Sequence, residues 1–296
     1  MKILITGSNG QVGSCLVKIL NQMPEIEFLA VDRDQLDITD PDAVNKLVNE
    51  FKPDAIINAA AHTVVDKAEQ EVELSYAINR DGPKYLAQAA QAVGATILHI
   101  STDYVFSGDK EGAYVETDRV APQGVYGQSK LAGEFAVAES CTRYIILRTA
   151  WVFCETGNNF VKTMLRLAQT RDELGVVADQ FGGPTYAGDI AAALLTMAQS
   201  LHNGIHDYGI YHFAGLPHVS WYQFATEIFT EANKQGLMIN NCLKKSMRVN
   251  AITTDQYPTP AKRPANSSLN CGKIEQTFGI KPCDWQAALS NLKGYL

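Results

Sequence analysis

The 296-residue sequence has no run of about 18 apolar residues, no Cys-x-x-Cys pair and no cluster of positive charge. The first absence argues against a helical membrane span, which needs about 20 apolar residues. The opening MKILIT carries one lysine and an apolar run that ends at Gly7, shorter than a signal-peptide core, so the expected location is the cytoplasm. Six cysteines, Cys15, Cys141, Cys154, Cys242, Cys271 and Cys283, lie scattered. They read as reduced packing thiols rather than a disulfide framework or a zinc site. His202 and His206 have the i,i+4 spacing of a metal pair, but Gly204 between them interrupts a helix, and no metal site is expected. Lys and Arg number 25 against 32 Asp and Glu, a net charge of -7. Nucleic acid and anionic membranes need clustered cations, so the expected partner is a small molecule.

What is present is an apolar content of 46%, enough for one large core, or one large and one smaller. Short apolar runs at 2–6, 28–32, 54–60, 96–102, 144–149 and 175–178 alternate with segments of helical period at 11–21, 41–51, 72–94, 126–140 and 158–172. That alternation predicts an α/β fold, a Rossmann-like doubly wound parallel sheet whose ligands lie at the carboxyl ends of the strands. Beyond about residue 175 the pattern breaks into a loop "DQFGGPTYAGD", a helix at 188–201, a strand "IYHFAG", a helix at 221–235, a proline-rich stretch and a last helix near 284–294. The division expected is a dinucleotide-binding domain over 1–175, to which later elements can return, and a smaller substrate-binding lobe over 176–296.

The first predicted strand runs into "TGSNGQVG", with Gly7, Gly10 and Gly13 three residues apart and Gln11 and Val12 inside the turn. A glycine-rich turn that opens a helix gathers free backbone N–H groups and the positive helix end at one point, where a pyrophosphate can sit. The second strand ends in Asp32, placed to accept hydrogen bonds from an adenosine ribose. Arg33 follows, and a guanidinium there suits a 2′-phosphate, so NADH and NADPH both stay open. "QLDITD" supplies Asp37 and Ile38 for the adenine edge, and "NAAAHTVVDKAE" supplies Ala61, His62 and Thr63 at the end of the third strand.

"VYGQSKLAGE" places Tyr126 and Lys130 on one helix face. An ammonium near a phenol favours phenolate and draws its pKa of ~10 toward neutrality, which makes tyrosine a general acid–base. "HISTDYVF" ends the fourth strand in Ser101 and Thr102, a hydroxyl suited to hold a carbonyl oxygen beside the tyrosine.

Together "TGSNGQVG", "NAA", "STD" and "YGQSK" resemble the extended short-chain dehydrogenase/reductases. Within that family "GQVG", "NAAAHTVVDKAE", "STDYVF", "VYGQSKLAGE", "RTAWVF", "GNNFVKTMLRLA", "DQFGGPT" and "YPTPAKRPANSSLN" resemble the branch acting on dTDP-4-keto sugars. The resemblance implies hydride transfer from NADPH or NADH to the C4 ketone of dTDP-4-dehydro-L-rhamnose. Tyr126 would protonate the alkoxide, Lys130 hold the nicotinamide ribose and lower the tyrosine pKa, and Thr102 position the carbonyl. Thr102, Asp103 and Trp151 match substrate contacts. Asn159, with Asn158, and Arg263, with Asn266, fit loops that grip a dTDP diphosphate and base.

Nucleotide-sugar 4,6-dehydratases of the same family carry Thr-Asp-Glu where this chain has Thr102-Asp103-Tyr104, which argues against dehydration. Epimerases share the cofactor but regenerate it in place. Other chains of the lineage are non-catalytic subunits of S-adenosylmethionine synthetase, yet Tyr126 and Lys130 are both retained here. Some members of the family form dimers bridged by Mg²⁺ on acidic side chains. Cys15 and Gly188, beside Asp189, stand where acids would be sought, so a monomer or a differently built homodimer is expected.

Overall fold

The computed structural model describes residues 1–237 and 247–296; Cys242 lies outside the described residues. The chain lays down β1 (Lys2–Thr6), α1 (Gln11–Leu20), β2 (Glu27–Val31), α2 (Pro41–Phe51), β3 (Ala55–Asn58), α3 (Val65–Ala68), α4 (Val72–Tyr76), α5 (Gly82–Val93), β4 (Thr96–Thr102), α6 (Val125–Ser140) and β5 (Tyr144–Thr149). After these come α7 (Phe160–Ala168), α8 (Ala187–His202) and α9 (Trp221–Lys234), with short strands between them.

β1 shows why the sheet has two covered faces. Ile3, Leu4 and Ile5 are all fully buried, and successive strand residues point to opposite sides. Ile3 and Ile5 join one apolar cluster and Leu4 the other. Helix ends are set locally: Asp40 caps α2 by accepting from the N–H groups of Asp42 and Ala43 at 3.0 and 3.1 Å, and Pro41 opens that helix.

The central sheet has six parallel strands in the order Gly209–His212, β5, β4, β3, β1, β2. β2 lies on one side of β1 and β3 on the other, so the strand order reverses there and a crevice opens at their carboxyl ends. The run expected as a strand at 175–178 forms instead as Glu173–Val177, outside this sheet and paired in parallel with Arg248–Ile252. Glu173 and Gly175 are exposed while Leu174 and Val176 are buried, the alternation of a half-covered ribbon rather than a central parallel strand. Gly209–His212 fills the sixth place instead. The larger apolar cluster runs without a break from Ile3 and Ile5 through α8 and α9 to Trp285 and Leu292, so the C-terminal segments share the core of the sheet.

The helix expected at 72–94 is one continuous rod with a π-turn, Ala77–Asp81, between α4 and α5. That expected at 158–172 shortens to α7, because the Asn159 side chain caps it by accepting from Lys162 N–H at 3.1 Å. The last helix divides into Trp285–Ala288 and a 3₁₀ turn, Leu289–Tyr295. Among the described residues no helix is long and apolar enough to cross a membrane.

Candidate active site

The glycine loop packs more tightly than spacing alone implies. Gly7 has φ +73°, and a Cβ there would lie 2.6 Å from Ala60 N; a Cβ on Gly13 would lie 2.1 Å from Gly7 O. Only glycine lets the loop bend under the end of β3 and lets α1 rise from it. Gly10 caps α1 with no side-chain hydrogen bond and no acid in the first turn, so the first N–H groups are left for an anion.

Beside this turn lies a cleft of about 480 Å³. Gly7, Gly10, Asp32, Arg33, Asp37, Ile38, Ala61 and His62 line it, eight of the residues expected from sequence. Asp32 Oδ1 accepts from Asp34 and Gln35 N–H, and Oδ2 accepts from Asn9 Nδ2 at 2.6 Å. The Asp37 carboxyl is held below its usual range, chiefly by Thr39 N–H at 2.9 Å and then by the Thr39 hydroxyl at 2.7 Å. The donor set fits a dinucleotide: an uncapped helix start for its pyrophosphate and a carboxylate at the end of β2 for its ribose.

Six expected cofactor residues do not line the cleft: Tyr126 and Lys130, and four nearer the glycine loop and β3. Val12 is buried, Gly13 packs on Gly7, Thr63 is exposed, and Gln11 Oε1 accepts from Asn159 Nδ2 at 3.0 Å. His62 lines the cleft, but its ring is anchored to Ser75 Oγ at 2.9 Å and Glu71 Oε2 at 3.2 Å. Cys15 is buried beside Cys154.

Tyr126 and Lys130 are buried. Glu69 Oε1 accepts from Val125 N–H at 2.9 Å at the start of α6, which carries Tyr126 and Lys130 against β4. Thr102 lies beside the Tyr126 phenol, donates to Asp103 Oδ1 at 3.0 Å and accepts from Tyr104 N–H at 3.2 Å. Burial pushes the Tyr126 pKa up to about 12. The expected lowering by Lys130 is therefore not found: Lys130 donates to Ile100 O at 2.7 Å and meets His99 Nε2 at 3.3 Å. Burial brings its own pKa down to about 8, against the pull of Glu134. Asp103 is buried, with Oδ2 unpartnered, and burial raises its pKa to about 6.

The expected substrate loops separate into free and committed groups. Trp151 has φ +48° and stacks on Trp221, with ring centroids 3.5 Å apart. Asn159 is spent on structure: besides capping α7 it donates to Gln11 and, at 2.6 Å, to Cys154 O. Asn266 donates to Lys110 O and Gly112 O, both at 2.7 Å, and accepts from Ser268 N–H. Asn158 is exposed. Arg263 pairs with Asp66 at 2.8 Å.

Sequence reasoning passed over the buried polar frame behind Tyr126. Arg148 makes a two-pronged pair with Glu134, at 2.9 and 2.6 Å, and Ser101 Oγ donates to Glu134 at 2.5 Å. These bonds tie α6 to β4 and β5. Asn79, in the π-turn, donates to Ser129 Oγ on α6 and to His62 O. An arginine inside "YIILRT" and a histidine inside "TILHIST" were the available signals, since polar residues within a buried strand need partners.

Comparison with known proteins adds the following. Residues 1–294 match the family model described as "RmlD substrate binding domain". A dTDP-4-dehydrorhamnose reductase of Aggregatibacter actinomycetemcomitans is 55% identical over 295 residues, covering 99% of each chain. A crystal structure of a dTDP-4-dehydrorhamnose reductase from Clostridium acetobutylicum superposes with a TM-score of 0.89 at 44% identity, over 99% of this chain and 98% of that one. One from Bacillus anthracis in complex with NADP does so with a TM-score of 0.89 at 38% identity, with the same coverage.

Proposed function

The chain belongs to the RmlD substrate binding domain family, and from this we propose that it reduces the C4 ketone of dTDP-4-dehydro-L-rhamnose to dTDP-L-rhamnose, using NADPH or NADH. The observation that carries the chemistry is the placing of the Tyr126 phenol beside Thr102 at the carboxyl end of β4. The bound reduced nicotinamide supplies the hydride that adds to C4. Tyr126 gives its phenolic proton to the oxygen that gains charge, so the ketone takes up one hydride and one proton and leaves as the alcohol. A phenol that is hard to ionise stays protonated and ready to donate at neutral pH. Thr102 holds the carbonyl oxygen near that proton by turning its hydrogen from Asp103 to the substrate, a positioning contribution. Lys130, when charged, stabilises the phenolate that remains.

The unpartnered Asp103 oxygen is suited to a sugar hydroxyl. Arg263 reaches a diphosphate by exchanging its bond to Asp66, since guanidinium binds either anion in two-pronged fashion. Residues 1–175 serve mainly the cofactor and 176–296 mainly the sugar nucleotide, in a cytoplasmic enzyme that works as a monomer or homodimer. The test is loss of the reduced-nicotinamide absorbance on addition of enzymatically generated dTDP-4-keto-6-deoxy sugar. No loss with either NADPH or NADH would refute the reading.

A further inference from the structure

Asn58, His99 and Lys130 form a line of buried polar groups behind the dinucleotide crevice. Asn58 Oδ1 accepts from Thr6 Oγ1 at 2.7 Å and from Ala60 N–H at 3.1 Å. A backbone N–H can only donate, which fixes the amide with its oxygen on that side and turns Nδ2 toward His99 Nδ1 at 2.9 Å. An amide NH₂ offers hydrogens and no acceptor, so Nδ1 must accept. His99 is fully buried and its pKa lies well below the ordinary histidine range, through burial and then the Lys130 charge. Its one ring proton is therefore on Nε2, 3.3 Å from Lys130 Nζ.

We propose that His99 is a positioning residue for Lys130: the chain Thr6–Asn58–His99 fixes the Nε2–H tautomer and aims that hydrogen at the lysine nitrogen. An N–H is met by a lone pair in the amine, whereas an ammonium presents only hydrogens. The contact thus favours the amine, while Ile100 O accepts one of its hydrogens at 2.7 Å. The other charged groups around the site do not reverse this bias. Glu134 on the same helix favours the ammonium, but it is committed to Arg148 of β5 and Ser101 of β4. Tyr126 is protonated and Asp103 is bonded to Thr102. The relay holds the lysine close to its point of deprotonation, so that contacts made by the bound cofactor decide its charge. That catalytic consequence rests on the reductase reading; the tautomer does not.

Nitrogen NMR of the full chain with ¹⁵N-labelled histidine, recorded with and without NADPH, tests the tautomer directly. The expected spectrum has a pyridine-type Nδ1 and a pyrrole-type Nε2 for His99, and the reverse pattern overturns the proposal. Asn58→Asp keeps the acceptors for Thr6 and Ala60 and adds one for Nδ1–H, which reverses the tautomer. The alkaline limb of kcat/KM is then expected to move up by about one pH unit, as Nε2 becomes an acceptor for the ammonium. A limb that moves while the tautomer stays, or a tautomer that reverses while the limb stays, also overturns the relay. The wild-type spectrum decides the matter even if that variant does not fold, and a chain inactive on the keto sugar would refute the reductase reading while leaving the tautomer measurable.

Discussion

Thr102 Oγ1 stands beside the Tyr126 phenol and gives its own hydrogen to Asp103 Oδ1, 3.0 Å away. The one threonine hydrogen is thereby used, so Thr102 Oγ1 offers only lone pairs to the phenolic proton beside it.

Removing that proton leaves the rest of the site intact. Tyr126→Phe is expected to lower kcat by about 10²- to 10⁴-fold while the dinucleotide Kd, read by fluorescence titration, stays within about twofold. Turnover at the wild-type rate would show that Tyr126 is not the proton donor.

Asp103 makes stability depend on pH in an unusual direction. Its pKa is raised by burial to about 6 from 3.8, so the folded state resists ionisation. The stability it contributes is complete below pH 4 and is lost as pH rises through 6, a difference on the order of 3 kcal/mol. Asp103→Asn keeps the acceptor for Thr102 and should raise Tm at pH 8 while leaving it unchanged near pH 4. An equal shift at both values would assign the effect to packing alone.

His212 works with the opposite sign. Burial, then the Arg148 charge, lowers its pKa to about 3 from 6.5, and its Nδ1 bonds Tyr114 O at 3.1 Å. Its contribution is complete above pH 6.5 and falls away as pH drops toward 3. His212→Asn is expected to remove about 2 kcal/mol of the loss in stability between pH 7 and pH 5, measured by urea unfolding at both values. Parallel pH dependence in the variant would count against a neutral buried imidazole.

The glycines separate packing from cofactor approach. Gly13→Ala puts a Cβ 2.1 Å from Gly7 O, whereas Gly10→Ala puts one at 3.2 Å from the same atom. Gly13→Ala should cost about 1–3 kcal/mol, and Gly10→Ala less, in thermal unfolding without ligand. The reverse ranking would mean that α1 does not lean on the loop as described.

The central elements were legible because each depends on local chemistry: β1 is apolar on both faces, Pro41 and Asp40 start α2, and the glycine turn opens α1. The Glu173–Val177 strand was legible as a strand but not in its partner, because a periodic run says nothing about which edge it joins. Asn159 illustrates a different limit. An asparagine before "FVKTMLRLA" suits a ligand and a helix cap equally, and only the position of Gln11 and Lys162 decides for the cap. His99 and Arg148 lay hidden for a third reason: their partners are 41 and 14 residues away in sequence, on other elements. Eight of the residues expected at the cofactor line one cleft, since the crevice is built from consecutive strand ends. The tyrosine–lysine spacing was read correctly, but its electrostatics depend on burial that spacing does not encode.

The contact between Gly7 and the Ala59–Ala60 turn joins two loops that are more than 50 residues apart in sequence. They behave as one interchangeable part. Transplanting the first loop from a relative will succeed when the "NAA" turn travels with it, and substitutions in the two should covary rather than drift independently.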